Sequence, residues 1–300
     1  MRRSTAGGAI RVHAPAKLNL GLEVLGPRAD GFHNLATILQ TIALYDTVTL
    51  SPAGAVSVDC ADPALATTDN LIVRAVERLR GTLGESRGAL VHLAKAIPVA
   101  AGLGGASSDA AAALLSARAL WQSPAADDLL VAIGAEIGSD VPFFFHGGTA
   151  LATGRGDELA ALPPIGDCWF VVVSPRLAIP EKTARLYRAL HQSDYSDGAL
   201  VRAQAARLRL QQPVDPSLLG NAFTRPLTAL FPELSELGAT MRRAGAPHVA
   251  LSGAGPSHYT IVTDPKQAAR LASTLRAALR QNAQVNLVSP VGNPPIPVAT

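Results

Sequence analysis

Pro98-Val99-Ala100-Ala101-Gly102-Leu103-Gly104-Gly105-Ala106-Ser107-Ser108-Asp109-Ala110 decides how the chain is read, because three glycines run straight into a row of helix-forming residues. A helix N-terminus carries unpaired N–H groups and a partial positive charge, and glycine lets backbone close around an oxyanion. The stretch therefore reads either as a phosphate-binding loop or as a structural glycine turn with Ser107 or Ser108 capping the helix. It is neither G-x-G-x-x-G nor followed by G-K-[ST], which excludes a dinucleotide turn and a P-loop. Lacking the P-loop lysine, a phosphate site here must draw its cation from elsewhere in the chain.

Lys17 is a candidate for that cation, at the point where Ala14-Pro-Ala-Lys-Leu-Asn19 enters a strand; the alternative is a solvated lysine on a strand edge. Asn19, two residues on, shares its face. Asp140, in Gly138-Ser-Asp-Val-Pro-Phe-Phe-Phe145, precedes an apolar run and by itself reads as a helix N-cap with Pro142 in the first turn. A second glycine cluster, Leu251-Ser252-Gly253-Ala254-Gly255-Pro256-Ser257, lies between two predicted strands and by itself reads as a hairpin turn. No i, i+4 histidine pair, calcium-loop spacing or G-x-S-x-G elbow is present, so a dedicated metal cage and triad hydrolysis are unsupported.

Around these motifs the chain is 300 residues long, 48% apolar, 16% charged and 4% aromatic, enough for one large core or two modest ones built from small aliphatic side chains. Mean hydropathy is +0.22, yet no run approaches the ~20 apolar residues that span a bilayer. A net charge of +3, with scattered basic residues, argues against a nucleic-acid groove. Cys60 and Cys168 stand far apart, which excludes a disulfide framework and suits a reducing, cytoplasmic setting. Ser4 to His13 lacks an apolar h-region, and the first eight residues read as a frayed tail.

Period-2 alternation predicts strands at Ile10–Val12, Leu18–Val24, Leu35–Leu44, Thr47–Leu50 and Val56–Cys60, with turns at the Gly, Pro and Asp between them. A helix over 71–83 and a strand over 90–95 follow. Helices are expected over 107–121, opened by a Ser-Ser-Asp cap, and over 127–137, opened by adjacent aspartates. The 153–166 stretch, with Pro163 and Pro164, marks a boundary between domains 1–160 and 161–300. Beyond it come a strand at 169–174, helices at 199–210 and 226–244, strands at 249–251 and 259–262, a helix at 265–280, a strand at 285–289 and an extended tail.

Taken together and in order, Pro15-Ala-Lys-Leu-Asn19, Pro98 to Ala110 and Leu251 to Pro256 resemble the three motifs of the GHMP small-molecule kinases. Within that superfamily, Arg28-Ala-Asp-Gly-Phe-His-Asn-Leu35, Asp69-Asn-Leu-Ile-Val-Arg-Ala75 and Gly138 to Phe144 are similar to the 4-diphosphocytidyl-2-C-methyl-D-erythritol kinase family. The likeness runs from about residue 10 to about residue 290. It implies an α+β, two-domain GHMP kinase fold: an N-terminal domain of the ribosomal protein S5 domain 2-like type, a ferredoxin-like C-terminal domain, and an active site in the cleft between them.

Carried over by position, the resemblance makes Lys17 and Asp140 the catalytic pair and Pro98 to Ser108 the loop around the ATP phosphates, with Ser252, Gly253 and Gly255 near them. It puts Asn70 and Lys95 near the adenosine. Asn19, Phe32 and His33 fall where the family holds a cytidine diphosphate substrate, His33 reading the cytosine edge. Phe32 stands where relatives often have Tyr, keeping the stacking face without the hydroxyl. Tyr187, from Ile179-Pro-Glu-Lys-Thr-Ala-Arg-Leu-Tyr187, supplies the second stacking aromatic. ATP and Mg²⁺ are the implied cofactors, the ion held by phosphates, water and the hydroxyl of Ser107 or Ser108. The partners are small molecules, with no nucleic acid and no membrane. The rival readings are a homoserine- or mevalonate-type kinase, against which Phe32-His33 speaks, and a non-catalytic nucleotide-binding metabolite sensor, against which Lys17 and Asp140 speak.

Overall fold

The computed structural model describes residues 8–177 and 179–300. Apart from Gly8, the tail expected at the N-terminus lies outside the described residues. Strands β1 (Ile10–Pro27) and β2 (His33–Ala53) form a long antiparallel pair. The stretches predicted separately at 35–44 and 47–50 are thus one strand. Asp46, read as turn punctuation, instead sits opposite Ala14 in the ladder, and its carboxylate accepts the N–H groups of Ala96 and Ile97.

The far edge of β2 is shared between β4 (Gly88–Ala94), which pairs with Thr47–Ala53, and β5 (Thr149–Thr153), which pairs with Thr37–Gln40. β3 (Ser57–Cys60) runs parallel to β4, and β6 (Glu158–Leu162) pairs with β5. β11 (Val298–Ala299), from the tail, returns to pair with β1 and completes seven strands. β6 falls inside the 153–166 stretch read as a boundary, so the passage to the second sheet is confined to 163–168.

One core joins this sheet to α1 (Leu71–Leu83), α2 (Gly105–Leu120), α3 (Asp127–Ile137) and α4 (Val141–His146). Helix α1 matches its predicted span; Asn70 caps it by accepting the N–H of Ile72, and Ile72, Val76 and Leu79 form its buried stripe. Helix α2 is buried nearly all round, Ala110 to Leu114 being fully enclosed. Alanine there lets the helix backbone lie close to its neighbours on every side. The expected Ser-Ser-Asp cap is not what opens α2. Gly104, at φ +72°, holds the N-cap position, and the Ser108 and Asp109 side chains are buried within the first turn.

The second sheet is antiparallel, in the order β10 (Ala283–Val288), β7 (Trp169–Pro175), β9 (His258–Val262), β8 (Ala250–Leu251). Numbered along the chain this is 4-1-3-2, the ferredoxin-like order. With it come α5 (Lys182–Arg188), α6 (Ala199–Arg209), α7 (Thr224–Leu230), α8 (Ser235–Arg243) and α9 (Pro265–Leu279). The single helix predicted over 226–244 is therefore two, separated by a short 3₁₀ turn at Pro232–Leu234. Pro232 has no N–H for the ladder and disfavours helix in the residue before it, and Phe231 leaves helical geometry at ψ 72°.

The two sheets share a core in which Leu18 and Leu20 of β1 and Ile38 and Ile42 of β2 meet Phe170 of β7 and Tyr259 of β9. Tyr259 is fully buried and its hydroxyl donates to the Asn19 carbonyl at 2.8 Å, tying the second sheet to the strand that carries Lys17. No helix among the described residues is long and apolar enough to cross a membrane.

Candidate active site

Lys17 and Asn19 point the same way from β1, as strand period requires, just ahead of a bulge between Asn19 and Leu22. Gly21, at φ +93°, makes that bulge, and beyond it Leu22 turns to hydrogen-bond Gly220. The Lys17 ammonium donates to Asn19 Oδ1 at 2.6 Å; the Asn19 amide donates to Thr37 Oγ1, which donates to the Gly21 carbonyl. Lys17 is thus a buried, oriented cation and not a solvated edge lysine.

Opposite it stands Asp140, whose Oδ2 lies 3.4 Å from Lys17 Nζ. Asp140 occupies the N-cap position of α4, but its side chain makes no capping bond. Phe143 and Phe144 of the following turn are fully buried, each worth about 1.5–3 kcal/mol of apolar burial, and they fix the start of α4 beside β1.

The two glycine clusters meet here at backbone distance. A Cβ built on Gly102 would fall 2.3 Å from the Ser252 carbonyl, and one on Gly253 would fall 3.3 Å from Lys17 Nζ. Ser252 Oγ donates to the Gly102 carbonyl, and Ser257 N donates to Ala101 O. The second cluster does link β8 to β9, yet its packing against the first makes it more than a hairpin turn.

Three adjoining cavities run through the site. The first, about 170 Å³, is lined by Asn70, Lys95 and the loop from Pro98 and Val99 through Ala106 and Ser107. The second, about 440 Å³, holds Lys17, Asn19, Gly102, Gly104, Asp140 and Gly253. The third, about 550 Å³ and open to solvent, is lined by Phe32, His33, Arg155 and Tyr187 among others. The first two share Gly102 and Gly104; the last two share Arg155 and Tyr187.

Two residues of the first cavity are already engaged. Asn70 caps α1 and donates to the Leu65 carbonyl. Lys95 Nζ lies between the buried carboxylates of Asp46 and Asp109, at 2.7 Å from the latter. Burial alone would depress the Lys95 ammonium, but the two carboxylates more than offset it and its pKa is raised. Burial is also the main force lifting the Asp109 carboxyl to about 7; Lys95 opposes the rise and Asp46 adds to it. Ser107 lines the first cavity, whereas Ser108 is fully buried with no partner for its hydroxyl among the described residues.

In the third cavity the His33 and Tyr187 rings lie 4.9 Å apart, Tyr187 meets Phe223 edge-on, and the Tyr195 hydroxyl is 3.4 Å from His33 Nε2. Burial, then the charge of Asp140, pushes the Tyr187 phenol up to about 12. Phe32 is 52% exposed, with the Arg155 guanidinium 4.7 Å from its ring centre. Sequence reasoning missed Arg155, Tyr195, Phe223 and Lys182; Gly154-Arg155-Gly156 was a local signal for the first, and Lys182 stood unremarked inside the Ile179–Tyr187 stretch that supplied Tyr187.

Residues 70–148 match the GHMP kinases N terminal domain and residues 200–281 the GHMP kinases C terminal family. The chain is 38% identical over 280 residues to 4-diphosphocytidyl-2-C-methyl-D-erythritol kinase of Dehalococcoides mccartyi, covering 93% of this chain and 97% of that one. It superposes on a crystal structure of 4-(cytidine 5'-diphospho)-2C-methyl-D-erythritol kinase with a TM-score of 0.77 at 34% identity, over 93% of this chain and 99% of the other. A homoserine kinase from Cytophaga hutchinsonii also superposes, with a TM-score of 0.76 over 99% of this chain and 100% of its own, but at 16% identity it shares the fold alone. The chain belongs to the 4-diphosphocytidyl-2-C-methyl-D-erythritol kinase family of the GHMP kinases.

Proposed function

We propose that this chain transfers the γ-phosphoryl group of ATP to the 2-hydroxyl of 4-diphosphocytidyl-2-C-methyl-D-erythritol. The observation that carries the reading is the succession of cavities: a glycine-lined cleft, then the Lys17–Asp140 pair, then an aromatic chamber. Such a kinase must bring a nucleotide's phosphates and an acceptor bearing a flat base to opposite sides of one charged pair. In this reading residues 1–160 carry the phosphate loop and residues 161–300 complete the cleft.

In-line transfer breaks the bond from the γ-phosphorus to its bridging oxygen, which leaves with the electron pair on ADP, and forms a bond to the acceptor oxygen. The hydroxyl proton passes to an Asp140 oxygen. An ordinary aspartate is a weak base at neutral pH, but in a loose transition state proton loss comes late, and positioning and charge stabilisation do most of the work. Lys17 orients the carboxylate and stabilises the migrating phosphoryl group. The loop from Pro98 to Ser108, with Ser252, Gly253 and Gly255, surrounds the phosphates. Phe32 and Tyr187 flank the cytosine, with His33 at its edge and Asn19 nearby.

Magnesium would come with ATP. No group of three or more His, Cys, Asp or Glu among the described residues can cage an ion, so phosphates and water would supply most of its ligands, with Ser107 the hydroxyl on the cleft wall that could reach it. A coupled assay of ADP release tests the reading: the cytidine-diphosphate alcohol should be consumed one phosphate per molecule, with homoserine and mevalonate inert. Equal turnover of either of those would overturn it.

A further inference from the structure

Lys182 opens α5 and is 6% exposed, yet none of the ion pairs among the described residues includes it. Its ammonium donates instead to two carbonyls, Ala100 O of the first glycine loop and Gly255 O of the second. Two of the ammonium's three N–H bonds are thereby used, and the residue lines the same cavity as Lys17 and Asp140. The backbone is strained on both sides of this contact. Ala100 at φ +54° and Glu181 at φ +49° are two of only five non-glycine residues with positive φ among the described residues.

A neutral donor would latch the loops without the penalty of burying a cation beside another cation. A lysine makes physical sense there when an anion arrives between the loops. We infer that Lys182 is a second phosphate-binding cation of the transfer site, which latches the two glycine loops in the free protein and engages the nucleotide's polyphosphate when it binds. The inference rests on the kinase reading above. It assigns Lys182 to the nucleotide and not to the acceptor's diphosphate, because Ala100 leads into the glycines of the first loop and Gly255 is itself one of those of the second.

Burial, then the charge of Lys17, depresses the Lys182 ammonium to about 8. The other charged groups lining its cavity are Asp140 ahead of α4, Arg155 between β5 and β6, and Glu181 on its own segment. A phosphate-binding Lys182 should therefore lose its attraction as pH climbs through about 8, where the free ammonium deprotonates.

The test is calorimetric binding of the non-hydrolysable analogue AMP-PNP with Mg²⁺, and of CDP, to the full chain and to Lys182→Met and Lys182→Gln, the second keeping a donor for the carbonyls without the charge. Both variants should bind AMP-PNP at least tenfold more weakly at pH 7 and CDP within twofold of the parent. The parent's AMP-PNP affinity should fall between pH 7 and 9, and the variants' should stay flat. Weakened CDP binding alone would give the cation to the acceptor. Unchanged AMP-PNP binding in folded Lys182→Gln would make Lys182 a latch and nothing more; either result overturns the inference. Turnover of the acceptor by the parent protein is read separately, so failure of the substrate reading leaves this comparison decisive.

Discussion

Gly104 faces Lys17 so closely that a Cβ built on the glycine would lie 2.8 Å from Lys17 Cγ and 2.9 Å from Phe144 Cζ. The glycine therefore leaves Lys17 the room in which to stand opposite Asp140. Gly104→Ala should cost about 1–2 kcal/mol in chemical denaturation, from the left-handed backbone alone, and should lower turnover more than it weakens AMP-PNP binding. Turnover unchanged in the folded variant would show that Lys17 does not need this gap.

Asp140→Asn removes a carboxylate that caps nothing, so thermal stability should stay close to that of the parent. Turnover should fall by roughly 10²- to 10⁴-fold, the range for a lost general base. Lys17→Met should fall comparably, and the double variant should lose less than the product of the two, because the pair works as one unit. Near-normal turnover of Asp140→Asn would remove the carboxylate from the mechanism.

Phe32 and Tyr187 should separate binding from folding. Phe32 is half exposed, so Phe32→Ala should leave stability nearly intact and raise the acceptor KM by about 5- to 150-fold, equivalent to the roughly 1–3 kcal/mol of one stacked base. Tyr187 packs on His33 and Phe223, so Tyr187→Ala should both raise KM and lower the melting temperature. A Phe32→Ala enzyme with unaltered KM would move the base elsewhere.

Asp109 should make stability depend on pH in an unusual direction for an aspartate. Its folded pKa of about 7 lies above its ordinary value of 3.8, so between these limits the folded state binds more protons than the unfolded one. Its contribution is fully present below about pH 4 and gone above about pH 7. Compared with Asp109→Asn, the parent should lose stability between about pH 4 and pH 7 in urea denaturation. Parallel pH curves for the two proteins would refute the assignment.

How much of this could be read from the sequence follows from the range of the forces involved. Helix α1 was legible to the residue because its cap at Asn70 and its apolar stripe are local. The opening of α2 was not, because Ser108 and Asp109 are turned inward by the packing of α2 against β1 and β2, which no local signal reports. Lys17, Asp140 and the glycine loops stood out through their motifs. Lys182 did not: its partners lie 82 and 73 residues away, and an isolated lysine in a short helix carries no mark of such contacts. The role of Asp46 as an anchor for Lys95 was hidden in the same way, behind the look of a turn residue.

The pairing of β11 with β1 closes the chain on itself. Thr300 N donates to the Ala9 carbonyl at 2.9 Å, and the Thr300 hydroxyl reaches the same atom. The order in which the elements are threaded is thus close to a ring, and a ring can be cut elsewhere. Joining residue 300 to residue 8 through a short flexible tether and opening the exposed turn at Gln211–Gln212 should yield a circular permutant that keeps every contact of the cleft.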